Sequence, residues 1–220
     1  MGAEGTAKPS LGDDSVALLR ELCQIHAVSG REDSLARKVR EMVEPYADEL
    51  TVDALGNVIA HKKGEGTSKV MVAAHMDEIG LMVRHVDERG FLFISPVGGN
   101  RAQNLFARLC VVKTDDERLI PGLINHPRPG RPRGLKKLPE VEEFFVDVGA
   151  SSREETEDMG IEVGDTVSIQ YEFGRLGSHR LMGKAFDYRA LVSIQIEAMR
   201  LLSEDAARTP DLYFVFTTQE

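Results

Sequence analysis

Unbroken apolar runs mark two places in this chain. Val70-Met71-Val72-Ala73-Ala74 has no polar residue and no period-2 alternation, which predicts a short strand covered on both faces at the centre of a parallel sheet. Leu212-Tyr213-Phe214-Val215-Phe216 repeats the pattern. Both runs end in residues with chemistry to offer: His75 and Asp77 after the first, Thr217-Thr218-Gln219-Glu220 after the second. In open α/β sheets ligands collect beyond the carboxyl ends of the strands, so the two runs are expected to deliver His75 and Glu220 to one edge. If the extended conformation persists, Asp77 points the same way as His75 and can hold its ring tautomer.

Other apolar positions recur at helical spacing. Val16, Leu19, Leu22 and Cys23 follow Ser15, a predicted N-cap, and Ser29-Gly30 ends the pattern. Leu35, Val39, Met42, Val43 and Tyr46 form a second stripe, with Pro45 near its end. Strands are predicted over 51–55 and 58–62, joined at Gly56-Asn57. Beyond Gly80 the texture changes to short alternating strands, with hairpins turning at 87–90 and 114–117 and further strands at 144–148 and 166–171. Ser151-Ser152 is placed to cap a short acidic helix over 153–159. These signals predict an α/β unit built from 13–80 and 177–220, interrupted by a small β-rich module over 81–176 and preceded by a flexible tail, 1–12. A helix over 189–202 carries Leu191, Ile194, Ala198 and Leu202 on one side, with Val192, Ile196 and Met199 beside them, and places Asp187 at its N-terminus.

Composition narrows the class. In 220 residues, a hydrophobic fraction of 42% and a charged fraction of 29% are those of an ordinary globular protein with a sizeable core. The net charge of -9 argues against nucleic acid or an anionic membrane as partner. Cys23 and Cys110 make neither a disulfide framework nor a CxxC metal pair, and no secretion signal or membrane-length apolar segment is present, so a soluble cytoplasmic protein is expected. The loop 126–137 holds Arg128, Arg131, Arg133, Lys136 and Lys137 among prolines and reads as solvated or facing a subunit.

His75, Asp187 and Glu220 are groups a hydrolytic metal site uses, although alone each has an ordinary alternative, His75 as a hydrogen-bonded structural histidine and Asp187 as a helix cap. The blocks around them closely resemble the M42 family of metallo-aminopeptidases, the glutamyl or deblocking group that forms tetrahedral particles. They include Asp53-Ala54-Leu55-Gly56-Asn57, Ala74-His75-Met76-Asp77-Glu78, Gly183-Lys184-Ala185-Phe186-Asp187 and Thr217-Thr218-Gln219-Glu220. The resemblance implies a zinc-peptidase α/β domain carrying an inserted β-rich, PDZ-like dimerisation domain, and hence a homo-oligomer acting on peptides. It implies two divalent metal ions, zinc or cobalt, with His75 as a ligand, Asp77 orienting it, Asp187 bridging the ions and Glu220 as general base. Three further family ligands, a second Glu directly after the base and later an Asp and a His, have no counterpart up to Glu220. The chain is therefore expected to be a C-terminally truncated aminopeptidase, inactive alone, or a non-catalytic oligomerising remnant of that lineage. A glycan hydrolase of the endoglucanase type is a weaker alternative. Two departures stand out: Tyr188 replaces the usual Asp or Asn, and Leu191 replaces a common Gly, which is expected to crowd the helix start beside Asp187.

Overall fold

The computed structural model describes residues 12–65, 67–126, 139–204 and 210–220. Apart from His126, the basic loop at 126–137 lies outside the described residues, as does the tail up to residue 11. In chain order, helices α1 (Asp13–Gln24) and α2 (Asp33–Val43) precede strands β1 (Glu49–Val52), β2 (Val58–Lys62) and β3 (Lys69–His75). Strands β4 (Gly80–Val86), β5 (Leu92–Val97), β6 (Arg108–Lys113), β7 (Leu119–Asn125), β8 (Phe145–Asp147) and β9 (Thr166–Ile169) follow, with helix α3 (Arg153–Asp158) between the last two. A short hairpin, β10 (Gly174–Leu176) and β11 (Arg180–Met182), leads into helix α4 (Phe186–Glu204) and strand β12 (Asp211–Thr217).

The sheet has the order β1-β2-β12-β3. It is mixed rather than parallel: β2 pairs antiparallel with both β1 and β12, and only β12 and β3 run parallel, in a register that sets Thr217 beside His75. The two unbroken apolar runs are thus neighbours whose polar ends emerge together. One face of the sheet, carrying Val58, Ala60, Ala74, Phe214 and Phe216, packs against Leu22 of α1, Val39 of α2 and Val192, Ile196 and Met199 of α4. Burying Phe216 completely contributes roughly 2–3 kcal/mol.

Several expectations are corrected. β3 is not covered on both faces: it lies at the sheet edge, and Val70, Met71 and Val72 are 42%, 70% and 40% exposed. Among the described residues β12 is its one strand neighbour, so the apolar run has nothing to bury against on its other side. The buried stripe of α4 is Val192, Ile196 and Met199, while Leu191 and Ile194 of the expected face are exposed. Leu191, 41% exposed, turns much of its side chain to solvent rather than into the buried stripe. Ser15 does not cap α1; Gly12 holds that place, and Asp13 and Asp14 occupy the first turn, where the helix dipole favours negative charge. β1 ends at Val52 because Asp53 folds the next turn, its carboxylate accepting from the backbone N–H groups of Leu55 and Asn57 at 2.9 and 3.0 Å.

The β-rich segment closes on itself as a six-stranded antiparallel barrel, β4-β5-β8-β7-β6-β9. Inward positions Leu81, Val83, Leu92, Ile94, Val112 and Val146 fill it, alternating with outward ones as the pleat requires. Ser152 caps α3 as expected, accepting from Glu155 N–H at 3.2 Å. The chain passes from sheet to barrel at Gly80, where a Cβ would lie 2.4 and 2.8 Å from the Val28 methyls and 2.9 Å from Val167 O. Only glycine fits so close an approach.

Candidate active site

The carboxyl ends of β3 and β12, the start of α4 and the 99–104 loop of the barrel enclose a cavity of about 420 Å³. His75, Asp77, Asp187 and Glu220, drawn from three separate stretches of sequence, all line it. His75 is the last residue of β3 and is buried, with both ring nitrogens lacking a hydrogen-bond partner. Nδ1 lies 3.2 Å from Asp77 Oδ1 but out of line for a hydrogen bond, and Nε2 lies 3.5 Å from Asp187 Oδ1. The Tyr188 ring stands edge-on to the imidazole, centroid to centroid 4.8 Å. Asp187 itself is open to solvent, its side chain 82% exposed.

Glu220 is placed by backbone contacts rather than by its own side chain. Its N–H donates to Asp77 Oδ1 at 3.1 Å, so one carboxylate oxygen faces both the imidazole and the end of β12. The preceding residues are held one by one. Gln219 N–H donates to Glu32 Oε1 at 2.9 Å, and Thr218 N–H to Asn57 Oδ1 at 2.8 Å. Asn57 is fixed in turn by Asp53, which accepts from its Nδ2 at 2.8 Å. The Asp53–Asn57 turn and the end of β12 are therefore one hydrogen-bonded unit.

A buried charge cluster adjoins the cavity, with Glu78 and Lys184 in its lining. Lys184 Nζ donates to both oxygens of Glu78 at 2.6 and 2.7 Å, and Arg189, fully buried, approaches Glu78 Oε1 at 3.4 Å. Burial alone would raise the Glu78 pKa, but Arg189 and Lys184 outweigh it and hold the carboxyl below its usual range. Burial holds the Lys184 ammonium below the usual lysine range, with Glu78 opposing. Two cations against one anion leave the cluster net positive at the cavity that Asp77, Asp187 and Glu220 also line. Sequence reasoning missed Glu32, Glu78, Lys184 and Arg189 as site builders. Charged residues inside otherwise apolar or glycine-rich blocks were the available signal.

As a metal-binding arrangement the site is partial. The unpartnered, buried His75 Nε2 and the carboxylate beside it fit two donors for a divalent ion that accepts nitrogen and oxygen. Among the described residues no cluster of three or more His, Cys, Asp or Glu could enclose an ion.

A cavity at the strand carboxyl ends, with an imidazole and several carboxylates on its walls, is the position and lining of an α/β ligand site. The chain belongs to the M42 peptidase family: residues 56–220 match the family described as M42 glutamyl aminopeptidase. It is 40% identical over 208 residues to the lysyl aminopeptidase of Pyrococcus furiosus, covering 92% of this chain and 58% of that protein. The solved structure of the aminopeptidase APDkam598 from Desulfurococcus kamchatkensis superposes with a TM-score of 0.87 at 41% identity, covering 94% of this chain and 56% of that one. The TET1 peptidase of Pyrococcus horikoshii, described as assembling into a tetrahedron or a large octahedral shell, gives a TM-score of 0.84 at 28% identity, covering 94% and 61%. The chain thus spans a little over half the length of these relatives.

Proposed function

We propose that this chain carries one half of a metal-dependent aminopeptidase site that removes N-terminal residues from peptides. The observation that supports the reading most directly is the meeting of His75, Asp77, Asp187 and Glu220 on one cavity wall. His75 and Asp187 would hold a divalent ion, zinc or cobalt, which when bound supplies Lewis acidity toward a peptide carbonyl and toward water. Asp77 faces His75 Nδ1 and would keep its proton there, leaving Nε2 free as a donor atom. The Glu220 carboxylate is the proton acceptor for the attacking water, with its backbone tethered to Asp77 so that base and imidazole share one frame. Ile79, Ile169 and Tyr171 form the apolar part of the wall, against which the side chains of a bound peptide would lie.

Residues 13–80 and 177–220 form the catalytic unit in this reading, and 81–176 a dimerising module. Exposed Leu109, Leu119 and Val163 on the barrel side supply apolar surface for a second copy. Two free, buried thiols fit a reducing cytoplasm. Among the described residues no helix is long and apolar enough to cross a membrane.

With two donors in place, the 220 residues alone should not turn over an aminoacyl-anilide. Fusing to Glu220 the segment of Pyrococcus furiosus lysyl aminopeptidase that follows its counterpart should give hydrolysis that requires zinc or cobalt and is lost in His75→Ala and Glu220→Gln. A folded, metal-loaded fusion that stays inert would overturn the reading. Turnover by the unfused chain, abolished by Glu220→Gln, would overturn the division of the site.

A further inference from the structure

We propose that Arg189 is a positioning residue that sets the spacing between His75 and Asp187. The proposal rests on the reading of those two as a donor pair and adds the group that holds them in register. Arg189 follows Asp187 by two residues, and its side chain is completely buried. Its Nε donates to the carbonyl of Met76, the residue between His75 and Asp77, at 3.1 Å. Nη1 donates to the carbonyls of Leu22 at 3.0 Å and Ile25 at 2.6 Å, and Nη2 to that of Ala27 at 3.4 Å. One planar fork thus ties the peptide after His75, the start of α4 and the segment leaving α1 into a single body.

Helix-end capping accounts for part of this. The Leu22 carbonyl belongs to the last turn of α1 and lacks an intrahelical partner, so a cation there is favourable. Capping does not require the Met76 bond. That bond reaches across to the strand end that presents His75, and through it a displacement of α4 is carried to both members of the pair. Lysine cannot replace the fork, because its donors radiate from one atom and cannot reach carbonyls on two sides.

The test uses the 220-residue protein, labelled with ¹⁵N-histidine, as wild type, Arg189→Lys and Leu35→Ala; the last removes core volume elsewhere. The His75 ring resonances, assigned by their loss in His75→Ala, should be displaced from free-imidazole positions by the Tyr188 ring 4.8 Å away. In Arg189→Lys they should move at least halfway back while the far-ultraviolet spectrum stays folded. In the same variant zinc affinity, read by competition with a chromogenic chelator, should drop about tenfold or more. Leu35→Ala should lose stability with both readouts unchanged. A folded Arg189→Lys with wild-type His75 resonances would overturn the proposal, and so would equal displacement in Leu35→Ala. If the variant unfolds in buffer, the spectra are taken in trimethylamine N-oxide, which favours the compact state. A chain still unfolded there means Arg189 is needed for folding itself and overturns the positioning role. Wild type that binds no zinc, with His75 resonances still moving in Arg189→Lys, would refute the metal reading and leave the positioning role standing.

Discussion

Acidification should loosen the joint between sheet and barrel, because His26 is buried there as a neutral base. Its Nε2 lies 2.8 Å from Thr166 Oγ1 and its Nδ1 3.1 Å from Ser168 Oγ, both on β9 of the barrel. Burial pushes its pKa from 6.5 down to about 4; Glu78 opposes the shift, and Lys184, Lys113 and Arg189 reinforce it. The folded state therefore takes up a proton less readily than the unfolded chain. Its full stability is present above pH 6.5 and is lost progressively as the pH falls toward 4. A gap of about 2.5 pH units at about 1.4 kcal/mol each is a total loss of about 3–4 kcal/mol, of which about 2 kcal/mol has gone by pH 5 and about 3 kcal/mol by pH 4. Glu78 is held below the usual carboxylate range and so does not cancel the effect over most of that window. Other carboxylates add acid losses of their own, so the informative quantity is a difference. His26→Gln keeps polar contacts to the two hydroxyls but cannot titrate. The chain has no tryptophan, so urea unfolding is followed by far-ultraviolet circular dichroism at pH 7, 5 and 4. The stability advantage of wild type over His26→Gln should shrink by about 3 kcal/mol across the series. An advantage that stays constant with pH would refute the assignment of a buried neutral imidazole.

Three further outcomes follow from packing and exposure. Gly80→Ala forces a methyl into the Val28 side chain and the Val167 carbonyl, and should cost about 1–3 kcal/mol, seen as a lower urea midpoint with unchanged slope. Burial raises the pKa of the Cys23 thiol to about 11 and of Cys110 to about 12, so neither should react with Ellman's reagent in the native state at pH 8, and both should react at once in denaturant. Met71 on β3 and Ile194 on α4 are 70% and 60% exposed, each leaving apolar surface on its own side of the sheet, so the wild-type chain should bind anilinonaphthalene sulfonate and self-associate. Met71→Lys with Ile194→Glu should reduce both, and undiminished dye binding in a folded double variant would place the sticky surface elsewhere.

What could be read from sequence, and what could not, divides along the range of the interactions. Local pattern was enough to place β12 beside chemistry at Glu220, to set the hairpin of β6 and β7, and to cap α3 at Ser152. Each depends on residues a few positions apart. The environment of β3 was misjudged because an unbroken apolar run reports what a strand is suited to bury against, not which neighbours the described residues supply. The same ambiguity hid the true face of α4, whose apolar residues run almost all the way round. Least legible was Arg189. An arginine in the first turn of a helix looks like solvated surface until its partners are known, and these lie 113 to 167 positions away in sequence. Its burial follows from a demand that no single segment displays: the carbonyls leaving α1 and the carbonyl after His75 all need donors where water cannot reach. One guanidinium meets several of those needs at once. The residue that could not be read from its own surroundings is therefore the one that ties the separately legible pieces of the site together.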